Sequence, residues 1–264
     1  IVASPTSLHL VALKFAVENN LPIFMEKPLI DSIEGFKNAQ SLLAKYDNVF
    51  FIGFMLRYHP LVSKIKQILE TNKLGQVFNA RFEFGSFLPF WHPYEDYKDS
   101  YASRAELGGG VINTITHELD LIQYYFGNPT SVYCQSSNQK LLDIEVEEQC
   151  DAIFEFKESV VTLHLDYLQK DYDRNIKILC EHGKITWNWH DNEIVIQKHK
   201  EDIERIPLEG FDVNQLYIDE LQDFINLIYK NTKKHSLDAL HALANTQILL
   251  KMHESNSINK KIKL

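Results

Sequence analysis

Three short apolar runs, residues 1–4 (IVAS), 22–25 (PIFM) and 49–53 (VFFIG), are separated by two stretches with helical periodicity. In the first stretch Leu8, Leu10, Val11, Leu13, Ala16 and Val17 form the apolar side, Ser7 is placed to cap the start, and Asn19-Asn20 closes it. Asp31 or Ser32 caps the second, which carries Ile33, Phe36, Ala39, Leu42 and Leu43. Strand, helix, strand, helix, strand predicts a parallel sheet covered by helices. Ligands of such sheets sit beyond the carboxyl ends of the strands. Those ends read Ser4-Pro5-Thr6, Glu26-Lys27-Pro28 and Met55-Leu56-Arg57.

Past Arg57 the pattern changes. Pro60 opens an amphipathic helix through Val62, Ile65, Ile68 and Leu69, and a strand follows at 77–84. Alternating stretches at 132–136, 146–156, 160–168, 175–180, 184–189 and 193–197 predict a mostly antiparallel sheet. Helices at 214–229 and 237–252 close the chain. The predicted fold is α/β plus α+β: the C-terminal part of a Rossmann-type parallel sheet domain over 1–56, then an antiparallel sheet domain over 57–264 with helices on one face.

Two stretches carry chemistry. Lys27 follows an apolar strand directly, and Pro28 stiffens the turn that presents it. Residues 106–120, ELGGGVINTITHELD, run a triple glycine into an apolar-periodic segment with Val111, Ile112, Ile115, Leu119, Ile122 and Tyr125. Glycine tolerates close approach, so something bulky is expected against Gly108–Gly110. His117 then projects from a packed element beside that turn, where a proton-transfer group is useful. Read alone, His117 serves equally well as a hydrogen-bonded core histidine, and Glu26-Lys27 as a solvated pair.

Between them lies a long loop, residues 88–104, with Trp91, His92, Tyr94, Tyr97, Tyr101 and Arg104. Rings interspersed with hydrogen-bonding groups suit a sugar, whose apolar face stacks while its hydroxyls are bonded. The alternative is a packed structural loop.

Charge and composition remove other classes. Lys+Arg of 27 against Asp+Glu of 36 gives a net charge of −9, without a basic tract, so nucleic acid is not expected as a partner. No apolar run spans a bilayer and no signal segment opens the chain, which reads as cytoplasmic without a membrane partner. Three cysteines, Cys134, Cys150 and Cys180, sit in strand-like contexts as reduced packing residues. No metal site is expected, because His59, His92 and His117 have no spacing that enforces convergence. His190, His199, His235, His241 and His253 are expected at the surface or at caps.

The order PTSLH, FMEKPL, a strand ending near Arg57, then GGG and HELD resembles the Gfo/Idh/MocA family of NAD(P)-dependent oxidoreductases. RYHP, residues 88–110 and HELD are similar to a branch associated with bacterial surface-sugar gene clusters. The resemblance implies NAD or NADP as cofactor, a sugar, sugar-nucleotide or polyol as substrate, and a homodimer or homotetramer. It implies Lys27 and His117 as catalytic residues. Ser4, Pro5, Thr6, His9, Glu26, Lys27 and Arg57 would line the nicotinamide end of the cofactor. Trp91, His92, Tyr94, Tyr97, Tyr101, Arg104, Asn113, Thr114 and His117 would meet substrate. The family often has an aspartate shortly before its histidine; Thr114 stands there, with Asn113 beside it. No G-x-G-x-x-G occurs in the chain, and its first residue is Ile, so the resemblance implies about 60 residues of the dinucleotide-binding part, at about 30 per βαβ unit, before Ile1. On that reading the residue that chooses NAD or NADP also precedes Ile1. A second class is kept open: a non-catalytic sensor of the same fold.

Overall fold

The computed structural model describes residues 1–264. In the first part β1 (Ile23–Glu26) and β2 (Phe50–Gly53) pair in parallel, Ile23 opposite Phe50 and Glu26 opposite Gly53. All four β2 residues are buried, as a strand covered on both faces requires. The run expected at 1–4 is reduced to one parallel bridge, Val2 to Met25. Pro5 follows and has no N–H to extend the ladder.

Helix α1 (His9–Glu18) buries His9, Leu13 and Ala16, at helical spacing, while Leu8, Val11 and Phe15 are exposed. Its start is an irregular turn over Thr6–Leu8 without a side-chain cap, so Ser7 does not cap it. In α2 (Ile33–Leu43) Ser32 does cap, accepting from the Gly35 N–H. These elements enclose a core of Leu13, Ile23, Phe24, Met25, Phe50, Phe51, Ile52 and neighbours.

The second part is a nine-stranded sheet of β3 (Val77–Gly85), β4 (Ser131–Ser137), β5 (Gln149–Glu155), β6 (Val160–Asp166), β7 (Asp173–Cys180), β8 (Gly183–Asn188), β9 (Glu193–Lys198), β10 (Glu204–Pro207) and β11 (Ile262–Lys263). Its order is β10-β9-β8-β7-β3-β6-β5-β4-β11, with β3 and β6 parallel and every other pair antiparallel. One face is apolar: β7 turns Arg174, Ile176, Ile178 and Cys180 inward. The helices α3 (Pro60–Glu70), α4 (Val111–Thr114), α5 (His117–Phe126), α6 (Val213–Lys230) and α7 (Ala239–Ile258) complete the architecture, and contributions from α3, α4, α5 and α7 enter the core over this sheet.

The closing helices do more than cover the sheet. Phe224 and Leu227 of α6 and Ala242 of α7 lie in the first core, with Phe224 edge-on to Phe24 and Phe51. The short edge strands β10 and β11 have little alternation and were not expected. No helix is long and apolar enough to cross a membrane. The three cysteines are free and buried, with the Cys134 and Cys150 sulfurs 3.3 Å apart.

Candidate active site

Lys27 stands at the carboxyl end of β1, just before a cis Lys27–Pro28 peptide. Its Nζ donates to the backbone carbonyl of Thr114 at 2.6 Å. Thr114 ends α4, Ile115 and Thr116 interrupt the helix, and His117 restarts it as the first residue of α5. The expected single helix is therefore two, and the break exposes the carbonyl that Lys27 needs.

Lys27, Thr114 and His117 line one cleft of about 350 Å³. Met55 from the end of β2, Phe84 and Ser86 from the end of β3, and Tyr172 and Arg174 from the start of β7 complete its walls, with Ile115, Trp91, His92 and Tyr101. The sheet register explains the meeting, because Phe84 faces Arg174 directly across the β3–β7 ladder.

Burial, reinforced by the positive charges of Lys27 and Arg174, holds the His117 imidazole well below its usual range. Its Nδ1 has no partner within the chain. Arg174 donates through Nε to Glu118 at 2.6 Å, both side chains being buried. Burial pushes the Glu118 carboxyl up, against the opposing pull of Arg174. Neither Arg174 nor Tyr172 was singled out from the sequence. A signal was present: Arg174 occupies an inward position on a strand that otherwise alternates cleanly, and a charge there needs a partner.

The triple glycine does not border an open gap. A Cβ on Gly109 would strike the carbonyls of Tyr101, Ala102 and Arg104, and one on Gly110 would strike Glu147. Gly108 and Gly110 take φ of 80° and 105°, and Gly108 packs on Asp31 and Thr6. The bulky neighbour is thus the protein itself, which brings the Ser4–Thr6 turn against the glycines.

Several expected contact residues have other duties. Arg57 forms a two-pronged buried pair with Asp120, Nε to Oδ2 at 2.7 Å and Nη2 to Oδ1 at 2.8 Å, and lies 4.1 Å over the Tyr124 ring. Burial raises the Asp120 carboxyl, yet Arg57 and His241 outweigh it and leave it at about 2. His9 is buried with its ring nitrogens 2.9 Å from the Pro28 and Ser4 carbonyls, so it fixes the turn rather than facing a ligand. Asn113 is buried, donating to the Gly109 carbonyl and accepting from His253 Nε2 at 2.8 Å. Tyr97 donates to the Leu142 carbonyl at 2.9 Å. Tyr94 is 80% exposed, and Arg104 pairs with Glu106 on the surface. None of these lines the cleft.

His241 and His253 are not surface residues: His241 Nε2 donates to Asp120 at 2.7 Å. His59 caps α3, accepting from the Leu61 N–H, and is boxed by Trp187, Trp189 and Phe211.

In the turn after Val2, Ser4 Oγ is buried without a partner. Glu26 is raised by burial, and Glu220 of α6, which the sequence reading missed, is pushed up to about 8 by burial and then by the Glu26 charge.

The model for "Oxidoreductase family, NAD-binding Rossmann fold" matches residues 1–54, and that for "GFO/IDH/MocA C-terminal domain" matches residues 62–186. The chain belongs to the GFO/IDH/MocA family. Among curated relatives, scyllo-inositol 2-dehydrogenase (NAD(+)) of Bacillus subtilis is 30% identical over 48% of this chain and 34% of its own length. D-xylose 1-dehydrogenase [NADP(+)] of Haloarcula marismortui is 20% identical over 100% of this chain and 73% of its own. Matches to three Bacillus subtilis relatives span only 31%, 38% and 34% of their lengths. The fold is shared with levoglucosan dehydrogenase in complex with NADH and levoglucosan, TM-score 0.88 at 18% identity, covering 99% of this chain and 78% of that one. It is shared also with myo-inositol 2-dehydrogenase from Lactobacillus plantarum, TM-score 0.80 at 21% identity, covering 99% and 79%.

Proposed function

We propose that this protein is an NAD(P)-dependent oxidoreductase acting on a CH–OH group of a sugar, sugar nucleotide or polyol. The observation that carries the reading is that Lys27 and His117, from separate cores, line one cleft. The names of the relatives, inositol, xylose and levoglucosan dehydrogenases, support the substrate class.

The residues fit the nicotinamide end of a dinucleotide: they stand beyond the carboxyl ends of β1 and β2, and Ser4 Oγ is a buried polar atom in want of a partner. Ser4, Thr6 and Glu26 would hold that end. Bound there, the nicotinamide would supply the hydride acceptor or donor. In oxidation Lys27 Nζ takes the hydroxyl proton as the neutral amine, and in reduction it gives a proton back as the ammonium. The Thr114 carbonyl accepts from Nζ and holds it in place in either state. His117, uncharged, orients the same oxygen through a ring nitrogen. Trp91, its Nε1 bonded to Ser86 Oγ at 2.9 Å, offers a ring wall for the sugar face.

The test is an assay of the complete gene product with NAD(+) and NADP(+) across sugars and polyols. Reduction of the dinucleotide by at least one of them is expected. Tight sugar binding without any reduction would replace the enzyme with a sensor.

A further inference from the structure

We propose that the sugar taken by this cleft carries an anionic oxygen group, a carboxylate or a phosphate, and that Arg174 grips it. The proposal deepens, and rests on, the reading of the cleft as a sugar site.

The chain as a whole is acidic, with a net charge of −9. Its cleft is not: Lys27 and Arg174 line it, and no Asp or Glu does. Glu118, buried behind Arg174, offsets one of these charges. The hydrogen-bond partner of Lys27 is a neutral carbonyl, while Glu26 and Glu118 feel its charge without forming an ion pair with it. The cleft thus presents two basic side chains and no lining carboxylate in partly desolvated surroundings, where charges act strongly. Both cations are felt at His117, whose protonation they oppose.

Arg174 is built to do more than neutralise Glu118. It is 5% exposed. A guanidinium has five N–H donors, and burying one is costly unless they are used. Nε donates to Glu118, and the Tyr172 hydroxyl, on the same wall of the cleft, is also drawn to the guanidinium. The guanidinium carbon lies 4.5 Å from the Phe84 ring centroid and 5.4 Å from that of Trp189, which fixes its plane. A fixed fork whose terminal nitrogens are held by no carboxylate matches the two-oxygen edge of a carboxylate or phosphate. The cleft volume of about 350 Å³ is that of a site for one sugar ring, so single-ring sugars are the probes.

Calorimetric binding to the complete gene product tests this without requiring turnover. The probes are matched sets in gluco, galacto and manno configuration: the neutral hexose, its uronate and its 6-phosphate. At least one anionic member should bind about tenfold or more tighter than its neutral partner, and the preference should shrink with added salt. Uronate preference identifies a carboxylate and 6-phosphate preference a phosphate; either supports the proposal. In Arg174→Met/Glu118→Gln, which removes both members of the buried pair so that neither is stranded, the preference should fall to within about threefold. Arg174→Lys, with charge but no fork, should fall between.

Neutral hexoses binding as tightly as both anionic forms would overturn the proposal while leaving the dehydrogenase reading standing. An undiminished preference in the double variant would overturn the role of Arg174. Failure of every probe to bind would remove the sugar site and the proposal together.

Discussion

Lys27 donates to the backbone carbonyl of Thr114 at 2.6 Å, across 87 residues of sequence. This one bond ties the end of β1 to the interruption between α4 and α5, and so holds a strand end of the parallel sheet against the large sheet's helices. The cleft forms at that junction, and its chemistry depends on both parts.

The Arg57–Asp120 pair is a structural tie near this junction, with side chains 8% and 1% exposed. Arg57→Leu would leave the buried Asp120 carboxylate with His241 alone, at a cost of up to about 3 to 5 kcal/mol. Denaturant unfolding should show that loss. Unchanged stability together with a large drop in dinucleotide affinity would restore Arg57 to the cofactor site.

Two rings of the long loop should separate in their effects. Trp91 lines the cleft and meets Tyr167 edge-on at 5.4 Å, whereas Tyr97 bonds the Leu142 carbonyl away from it. Trp91→Ala should raise KM by about tenfold or more. Tyr97→Phe, which strands the Leu142 carbonyl, should lower stability by about 1 kcal/mol with KM unchanged. Steady-state kinetics alongside melting curves check both, and equal KM effects would contradict the division.

Burial, then the charge of Arg174, lowers His59 to about 4. Between that value and its ordinary one near 6.5 the unfolded chain binds a proton that the folded protein refuses. The His59 contribution is therefore full above pH 6.5 and lost as pH falls toward 4, by about 3 kcal/mol at roughly 1.4 kcal/mol per unit. His59→Asn keeps an acceptor for the Leu61 N–H but cannot titrate. Its stability should decline less than the wild type's between pH 7 and 4, and parallel declines would rule the assignment out.

Much of this was legible in the sequence. Period-two alternation marked most strands of the large sheet, and short apolar runs marked β1 and β2. That Lys27 follows a strand end and His117 sits on a packed helix was legible because local pattern constrains both. What local pattern does not encode is pairing across the chain. Arg57 read as a ligand contact because nothing nearby in sequence announces Asp120 as its partner. His241 and His253 looked incidental for the same reason. Arg174 was missed because its inward direction matters only once Glu118 is seen opposite. The triple glycine was correctly read as a close approach, but the approaching atoms are carbonyls of the preceding loop and side chains such as Asp31 and Glu147.

The most direct test of the proton-handling role is Lys27→Met in the complete gene product, with kcat measured on the best sugar and dinucleotide affinity measured in parallel. Loss of the group that moves the hydroxyl proton should lower kcat by about 10² to 10⁴ while dinucleotide binding stays within a few-fold. A variant that keeps the full kcat would contradict the account, because some other group would then be moving the proton.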